Sequence, residues 1–448
     1  MNNTNLRSAG ITSVTQGPAV LSIPRLMPEG QTWRYGVGVP FQIAPRKAAM
    51  FCNIRREDVG MEDFEVANDI ILFDDLSDIR VEGAISVSGS DDILGSFNPG
   101  KNTIKLKFPL QGGFVPFGAK RADGSPHPYA GTGFVISRLM SVSQGDFDYS
   151  IEDPGTVGEM YYKVHQLSFD GTKFEINAPV VFDYKNLGNG LFPNGAGMSM
   201  ALHDGDALLF PSNSILDKKK TSGQRAGSGV SRWEYGPKGW RPVSFVEIAP
   251  LGFGEPSLVR DIDGSLLFTA RSFNRLAKSM VSVWRSADGG LTWKLLFEVD
   301  VGRSESPVSI NRSADGTPYI CSNLAVPLDP KQFSSVFRVS PGFFQKAART
   351  TLVLWPLNED RSGLISPLTV RDWFSTPLFR DPPEESCWRS DHPVGAVLQL
   401  ADGEWRSVLA YRTMFRERYG SSGQAKPQTG VYLEEVICSG APIPAWKF

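Results

Sequence analysis

Glu255 and Arg271 stand at the two ends of one patterned stretch, EPSLVRDIDGSLLFTARS (255–272), with Asp263-Gly264 near its middle. Two apolar runs flank that turn signal, which reads as a hairpin. Antiparallel pairing brings the entry and exit of a hairpin together, so a carboxylate and a guanidinium would meet at one end. The same layout recurs in ESPVSINRSADGTPYICSN (305–323), in DHPVGAVLQLADGEWRSVLAYRT (391–413) and in GMSMALHDGDALLFPSN (197–213). It nominates Glu305, Asp391 and His392 as further strand entries, and Asn213, Asn323 and Arg412 as strand exits. Carboxylates beside an imidazole suit proton transfer, and Asp391 can orient His392. Guanidinium groups suit bidentate binding of a carboxylate or sulfate. Tyr411, next to Arg412, adds a phenol to this set.

These residues need a frame that repeats. Seven Asp-Gly dipeptides run along the chain, at 123–124, 170–171, 204–205, 263–264, 288–289, 315–316 and 402–403. Gly supplies the positive φ of a tight hairpin, and Asp bonds nearby backbone amides. Residues 113–135 are a looser copy of the same unit. A second hairpin follows several of the first: VSVWRSADGGLTWKLLFEV (281–299) most clearly, then YYKVHQLSFDGTKFEI (161–176) and SRWEYGPKGWRPVSFV (231–246). Inner hairpin followed by outer hairpin is the pattern of a four-stranded propeller blade. The 45 Gly and 32 Pro are spread along the chain, and 28 Phe, 11 Tyr and 10 Trp favour strands. The expected fold is all-β, a six-bladed β-propeller of four-stranded antiparallel blades. Residues 111–448 would form the propeller, and 1–110 an N-terminal segment that supplies strands or a blade, or closes the ring with the last strand.

Ser286, Asp288, Gly290, Thr292 and Trp293 in SADGGLTW follow the spacing S-x-D-x-G-x-T-W. This motif resembles the Asp box, or BNR repeat, of the sialidase (neuraminidase) superfamily, and the repeat pattern over roughly 113–440 agrees with it. The resemblance implies a box on the propeller rim, away from the chemistry. It also implies an arginine cluster for a substrate carboxylate, a glutamate paired with a tyrosine nucleophile, and a second acidic group as acid/base. In that family the glutamate begins an inner strand and an arginine ends its return strand, the positions of Glu255 and Arg271 here; Arg412 is the second arginine. Two departures stand in the sequence. Ile23-Pro24-Arg25 reverses the family's Arg-Ile-Pro order, and Asp391-His392 stands where the tyrosine would enter its strand.

The resemblance therefore implies a divergent, exo-acting glycosidase on a carboxylate-bearing glycan. Arg271, Arg412, Asn213 and Asn323 would bind substrate. Glu255, Glu305, Asp391, His392 and Tyr411 would be the catalytic candidates. A uronate-directed polysaccharide lyase, with His392 or Tyr411 removing the α-proton, is the alternative, and a non-catalytic carbohydrate-binding propeller is a third. Forty-six Lys and Arg against 48 Asp and Glu leave no general attraction for nucleic acid or anionic membranes. No apolar run reaches the roughly 20 residues of a membrane span. Four scattered His and four scattered Cys give no metal-ligand spacing, so no metal or cofactor is expected. The polar start MNNTNLRSAG lacks a secretory h-region, which reads as cytoplasmic or as a leader outside this sequence. Oligomeric state is not legible.

Overall fold

The structure is a computed structural model. It describes residues 10–17, 20–21, 25–26, 32–56, 67–80, 84–88, 103–107, 111–143, 157–177, 180–181, 191–194, 197–216, 225–250, 252–272, 279–304, 306–325, 349–373, 387–416 and 429–448. These form six antiparallel sheets and no helix, arranged as a six-bladed β-propeller.

The first blade is built on Thr32–Ala44, Lys47–Arg56 and Ala67–Phe73. In the second, Gln111–Val115 and Thr103–Lys107 both pair with Thr132–Ser143, which is followed by Val157–Phe169. In the third, Leu202–Asp204 and Leu191–Asn194 share Ala207–Leu216, which pairs with Arg225–Gly236 and then Gly239–Ala249. The fourth and fifth are plain four-stranded blades. They run Phe253–Arg260, Leu266–Ser272, Met280–Ser286, Lys294–Asp300, and Ser309–Arg312, Pro318–Asn323, Thr351–Pro356, Leu368–Asp372. The sixth is completed from both parts of the chain: Cys387–Gln399, Trp405–Arg416 and Gly430–Cys438, with Ile11–Val14 as the outermost strand. Segments within the first 110 residues thus do three things: they supply the first blade, add Thr103–Lys107 to the second and close the ring.

Burial explains the strand sequences. Leu266–Ser272 is almost wholly buried because neighbouring blades cover both its faces, whereas Lys294–Asp300, at the rim, has only exposed and half-buried positions. The core is accordingly split among the seams between blades. Phe41, Phe51 and Ile70 pack with Phe114 and Val135 between the first and second blades. Leu267, Val283, Ile310, Ile320 and Trp355 fill the seam between fourth and fifth. Phe134, Phe210, Trp233 and Trp240 fill that between second and third, with the Phe134 and Trp233 rings stacked at 3.9 Å.

A hydrogen bond crosses every seam near the axis. Gln399 N donates to Gln42 Oε1 at 2.7 Å, Phe117 N to Ile43 O at 2.7 Å, and Ala201 N to Gly112 O at 2.8 Å. Leu258 N donates to Ser199 Oγ at 3.1 Å, Ile310 N to Ser257 Oγ at 3.0 Å, and Gly395 N to Asn311 Oδ1 at 2.7 Å. These bonds satisfy backbone groups that a strand at the inner edge of a sheet would otherwise leave open.

The Asp-Gly turns work as their chemistry requires. Gly264 has φ 88° and donates to Asp261 O, while Asp263 Oδ1 accepts from the Ser265 amide at 2.9 Å. In SADGGLTW, the turn of an outer hairpin at the rim, Asp288 Oδ1 accepts from the Leu291 and Thr292 amides at 3.1 and 2.9 Å. Bonds to the Thr292 hydroxyl and amide lead in lowering the Asp288 carboxyl to about 2. Trp293 Nε1 donates to Gly290 O at 3.0 Å, and its ring lies against Phe268.

Candidate functional site

Two inner strands carry the same irregularity. In the fourth blade Gly254 pairs with Arg271, and pairing resumes only at Ser257 with Thr269. In the sixth Asp391 pairs with Arg412, and resumes at Val394 with Ala410. The interrupted residues are Glu255-Pro256 and His392-Pro393. Glu255 has φ 51° and His392 φ 53°. Among the described residues these are the two non-glycine positions inside strands with positive φ; Arg46 and Arg361 lie in turns. Such a backbone costs about 1–3 kcal/mol per residue and lasts only where its surroundings enforce it. A bulge of this kind re-aims a side chain out of the strand's alternation.

The enforcing contacts come from the return strand of the same hairpin and from the preceding blade. Asn213, fully buried at the exit of its hairpin, accepts from the Glu255 amide at 2.6 Å and from Ser228 Oγ at 3.3 Å. Glu255 Oε2 takes Arg271 Nη1 at 2.8 Å. In the sixth blade, Arg412 grips Asp391 with Nε at 2.7 Å and Nη2 at 2.8 Å, and Arg349 Nη1 bonds the same carboxylate. His392 Nδ1 lies 2.8 Å from Asp391 Oδ1. Asn323 donates to Ser390 O at 2.8 Å, fastening the fifth blade just ahead of Asp391.

Electrostatics assigns different states to these groups. Burial alone would raise the Asp391 carboxyl, but Arg412, His392 and Arg349 outweigh it and hold the group well below the usual carboxylate range. Asp391 is thus a permanent anion, only 1% exposed. Burial pushes the His392 imidazole down, with Arg412 adding to this, while Asp391 and Glu255 oppose it. Glu255, from the fourth blade, thus acts electrostatically on His392 in the sixth. With Nδ1 held by Asp391, Nε2 is the ring atom left for proton transfer.

The structure brings Glu255, Arg271, Asp391, His392 and Arg412 together at the strand-entry end, with Asn213 and Asn323 supporting them. It does not bring in Tyr411. Adjacent strand residues face opposite ways, and Tyr411 lies in the seam with the fifth blade, fully buried. Its hydroxyl donates to Glu434 Oε1 at 2.9 Å and accepts from Arg371 Nε at 2.9 Å. Glu434 in turn accepts the Gly17 amide at 2.8 Å, so this network ties residues 15–17 to the last two blades. Glu305 lies outside the described residues. Arg349 is the residue the hairpin logic misses: it precedes the third strand of its blade, not an inner hairpin, and no local signal marks it.

No protein-family model matches the sequence, and no curated protein does. Solved structures do. Trypanosoma rangeli sialidase in complex with sialic acid aligns with a TM-score of 0.54 at 11% identity, over 96% of this chain and 59% of that one. A protein of unknown function from Dyadobacter fermentans gives 0.54 at 11% identity, over 96% and 99%. A mutant of NanB sialidase from Streptococcus pneumoniae gives 0.50 at 10% identity, over 94% and 70%. The chain spans about three fifths of the trypanosomal enzyme's length. Its fold is the sialidase-like six-bladed propeller, in a divergent form.

Proposed function

We propose that this chain is a glycoside hydrolase acting on a carboxylate-bearing glycan, with Glu255 and the His392–Asp391 pair as its proton-transfer groups. The observation that carries this reading is the matched pair of positive-φ, pre-proline bulges that hold Glu255 and His392 at equivalent points of two inner strands. The acid/base role falls to His392 and not to Asp391, because a carboxylate clamped by two guanidiniums does not release and regain a proton near neutrality. Asp391 orients the ring and stabilises its charged form. Glu255, ionised beside Arg271, activates water or attacks, and protonated His392 donates to the leaving oxygen. Arg412 keeps one buried donor, Nη1, without a partner among the described residues; a substrate carboxylate would satisfy it. Aryl glycosides with and without a carboxylate on the sugar test this. Turnover confined to the acidic sugars, and lost in Glu255→Gln and His392→Asn, is expected. Full activity in Glu255→Gln would sink the assignment.

One observation favours a second reading. Burial keeps His392 neutral near pH 7, the state required of a base that removes a proton α to a uronate carboxylate. A lyase would release an unsaturated sugar that absorbs in the far ultraviolet. Uronate polymers that never give that absorbance exclude it.

A further inference from the structure

The six inner strands enclose a cavity of about 290 Å³ on the propeller axis, at the Asp-Gly-turn end. Glu255 and Arg260 lie on one strand, so at about 3.3 Å per residue Arg260 stands ~16 Å along it from Glu255, while the cavity wall begins at Leu258 and Gly395, roughly 10 Å from Glu255 and His392. Its walls include Phe41, Phe114, Leu258, Ile310 and Leu398. One cation stands out among them. The Arg312 guanidinium, at the end of Ser309–Arg312, has no ion pair or hydrogen-bond partner among the described residues.

The neighbouring charges do not neutralise it. Asp261 attracts it, but Arg361 already holds that carboxylate at 2.8 and 3.0 Å. Arg260 repels Arg312 and is itself engaged by Asp204 at 3.0 Å. His203 also lines the cavity, and its Nε2 is buried without a partner among the described residues. Trp446 also lines the cavity, 5.1 Å from the His203 ring. The segment that carries it is fastened across the turn face: Ile443 N donates to Ala314 O at 2.6 Å, and Lys120 N to Lys447 O at 2.8 Å.

We propose that this axial cavity binds a small organic carboxylate, its anionic end on Arg312 and its apolar body between the inner strands beside Trp446. A half-buried guanidinium that has no counter-ion and is repelled by Arg260 favours an anion beside it. A carboxylate satisfies the planar donor fork, and His203 supplies a second polar contact. Apolar walls favour a carbon body over a bare hydrated anion, and the volume suits one six-membered ring, not an oligosaccharide.

Calorimetric titration of the whole chain with benzoate, and separately with inorganic phosphate, tests the site. Benzoate is expected to bind, at least about tenfold more tightly than phosphate, and to lose about tenfold or more in Arg312→Gln. Glu255→Gln should leave benzoate binding unchanged, which separates this site from the cluster at the other end. Trp446→Ala, in a half-exposed segment, provides a second variant and should also weaken binding. Absence of benzoate binding, phosphate binding as tightly, or affinity unaltered in both Arg312→Gln and Trp446→Ala would overturn the proposal.

Discussion

The Asn213 side chain accepts the backbone N–H of Glu255 across the seam between the third and fourth blades, at 2.6 Å. One blade thereby dictates the backbone of a candidate catalytic residue in the next. Asn213→Ala strands that amide and frees Glu255 to leave its positive φ. The expected result is a loss of about 1–3 kcal/mol in urea unfolding and a kcat/KM reduced by roughly tenfold or more. An unchanged kcat/KM would show that Glu255 holds its geometry unaided.

The pH profile of hydrolysis should follow His392. Its folded pKa lies below the ordinary 6.5, burial being the leading cause. As general acid it must be protonated, so the rate should climb as pH falls below about 6.5 and level off only beneath the depressed value. Proton abstraction would need the neutral ring and would fall over the same range. The direction of the acid limb therefore separates hydrolysis from elimination.

Asp391→Asn removes the charge shared by Arg349, Arg412 and His392. Two guanidiniums are then left largely buried without their counter-ion, and a loss of about 3–5 kcal/mol is expected by urea unfolding. Adding Arg412→Met should recover part of that loss, because one stranded charge disappears. A strictly additive double variant would contradict the coupling.

Tyr411→Phe should cost about 1 kcal/mol in stability, through loss of the bonds to Glu434 and Arg371, and leave kcat unchanged. A fall of a hundredfold in kcat would return the phenol to the catalytic set.

Stability itself should depend on His203. Burial, with His127 and Arg260 nearby, pushes its imidazole down to about 4, against an ordinary 6.5. Between those values the unfolded chain holds the extra proton, so the folded state weakens as pH drops from about 6.5 towards 4. His203→Gln should flatten that part of the curve in urea unfolding at pH 7.0 and 4.5. Parallel curves for the two proteins would rule the group out.

Much of the frame could be read because its signals are local. Asp263-Gly264 turns a hairpin through contacts within a few residues, and the same holds at Asp315-Gly316 and Asp402-Gly403. The inner hairpin of the first blade turns at Pro45-Arg46, without that dipeptide, and so stayed hidden in the N-terminal stretch. In the site, the pairs Glu255–Arg271 and Asp391–Arg412 followed from antiparallel register alone. Arg349 did not, because its contact with Asp391 depends on which blade stands beside which. Tyr411 and Arg412 differ by one position, and strand alternation sent Tyr411 into the seam with the fifth blade and Arg412 onto Asp391; hairpin ends do not show which neighbour turns inward.

Closure by Ile11–Val14 on Gly430–Cys438 has a consequence for how the molecule comes apart. An open stack of repeats has terminal units with a single neighbour, and these fray first. Here each blade is flanked on both sides, so no unit is a natural starting point for loss of structure. Unfolding should therefore be a single cooperative step, with amides on the innermost strands exchanging at the global rate. Refolding, in turn, has to join residues more than 400 positions apart in sequence before the last blade is complete, which makes closure the slow event.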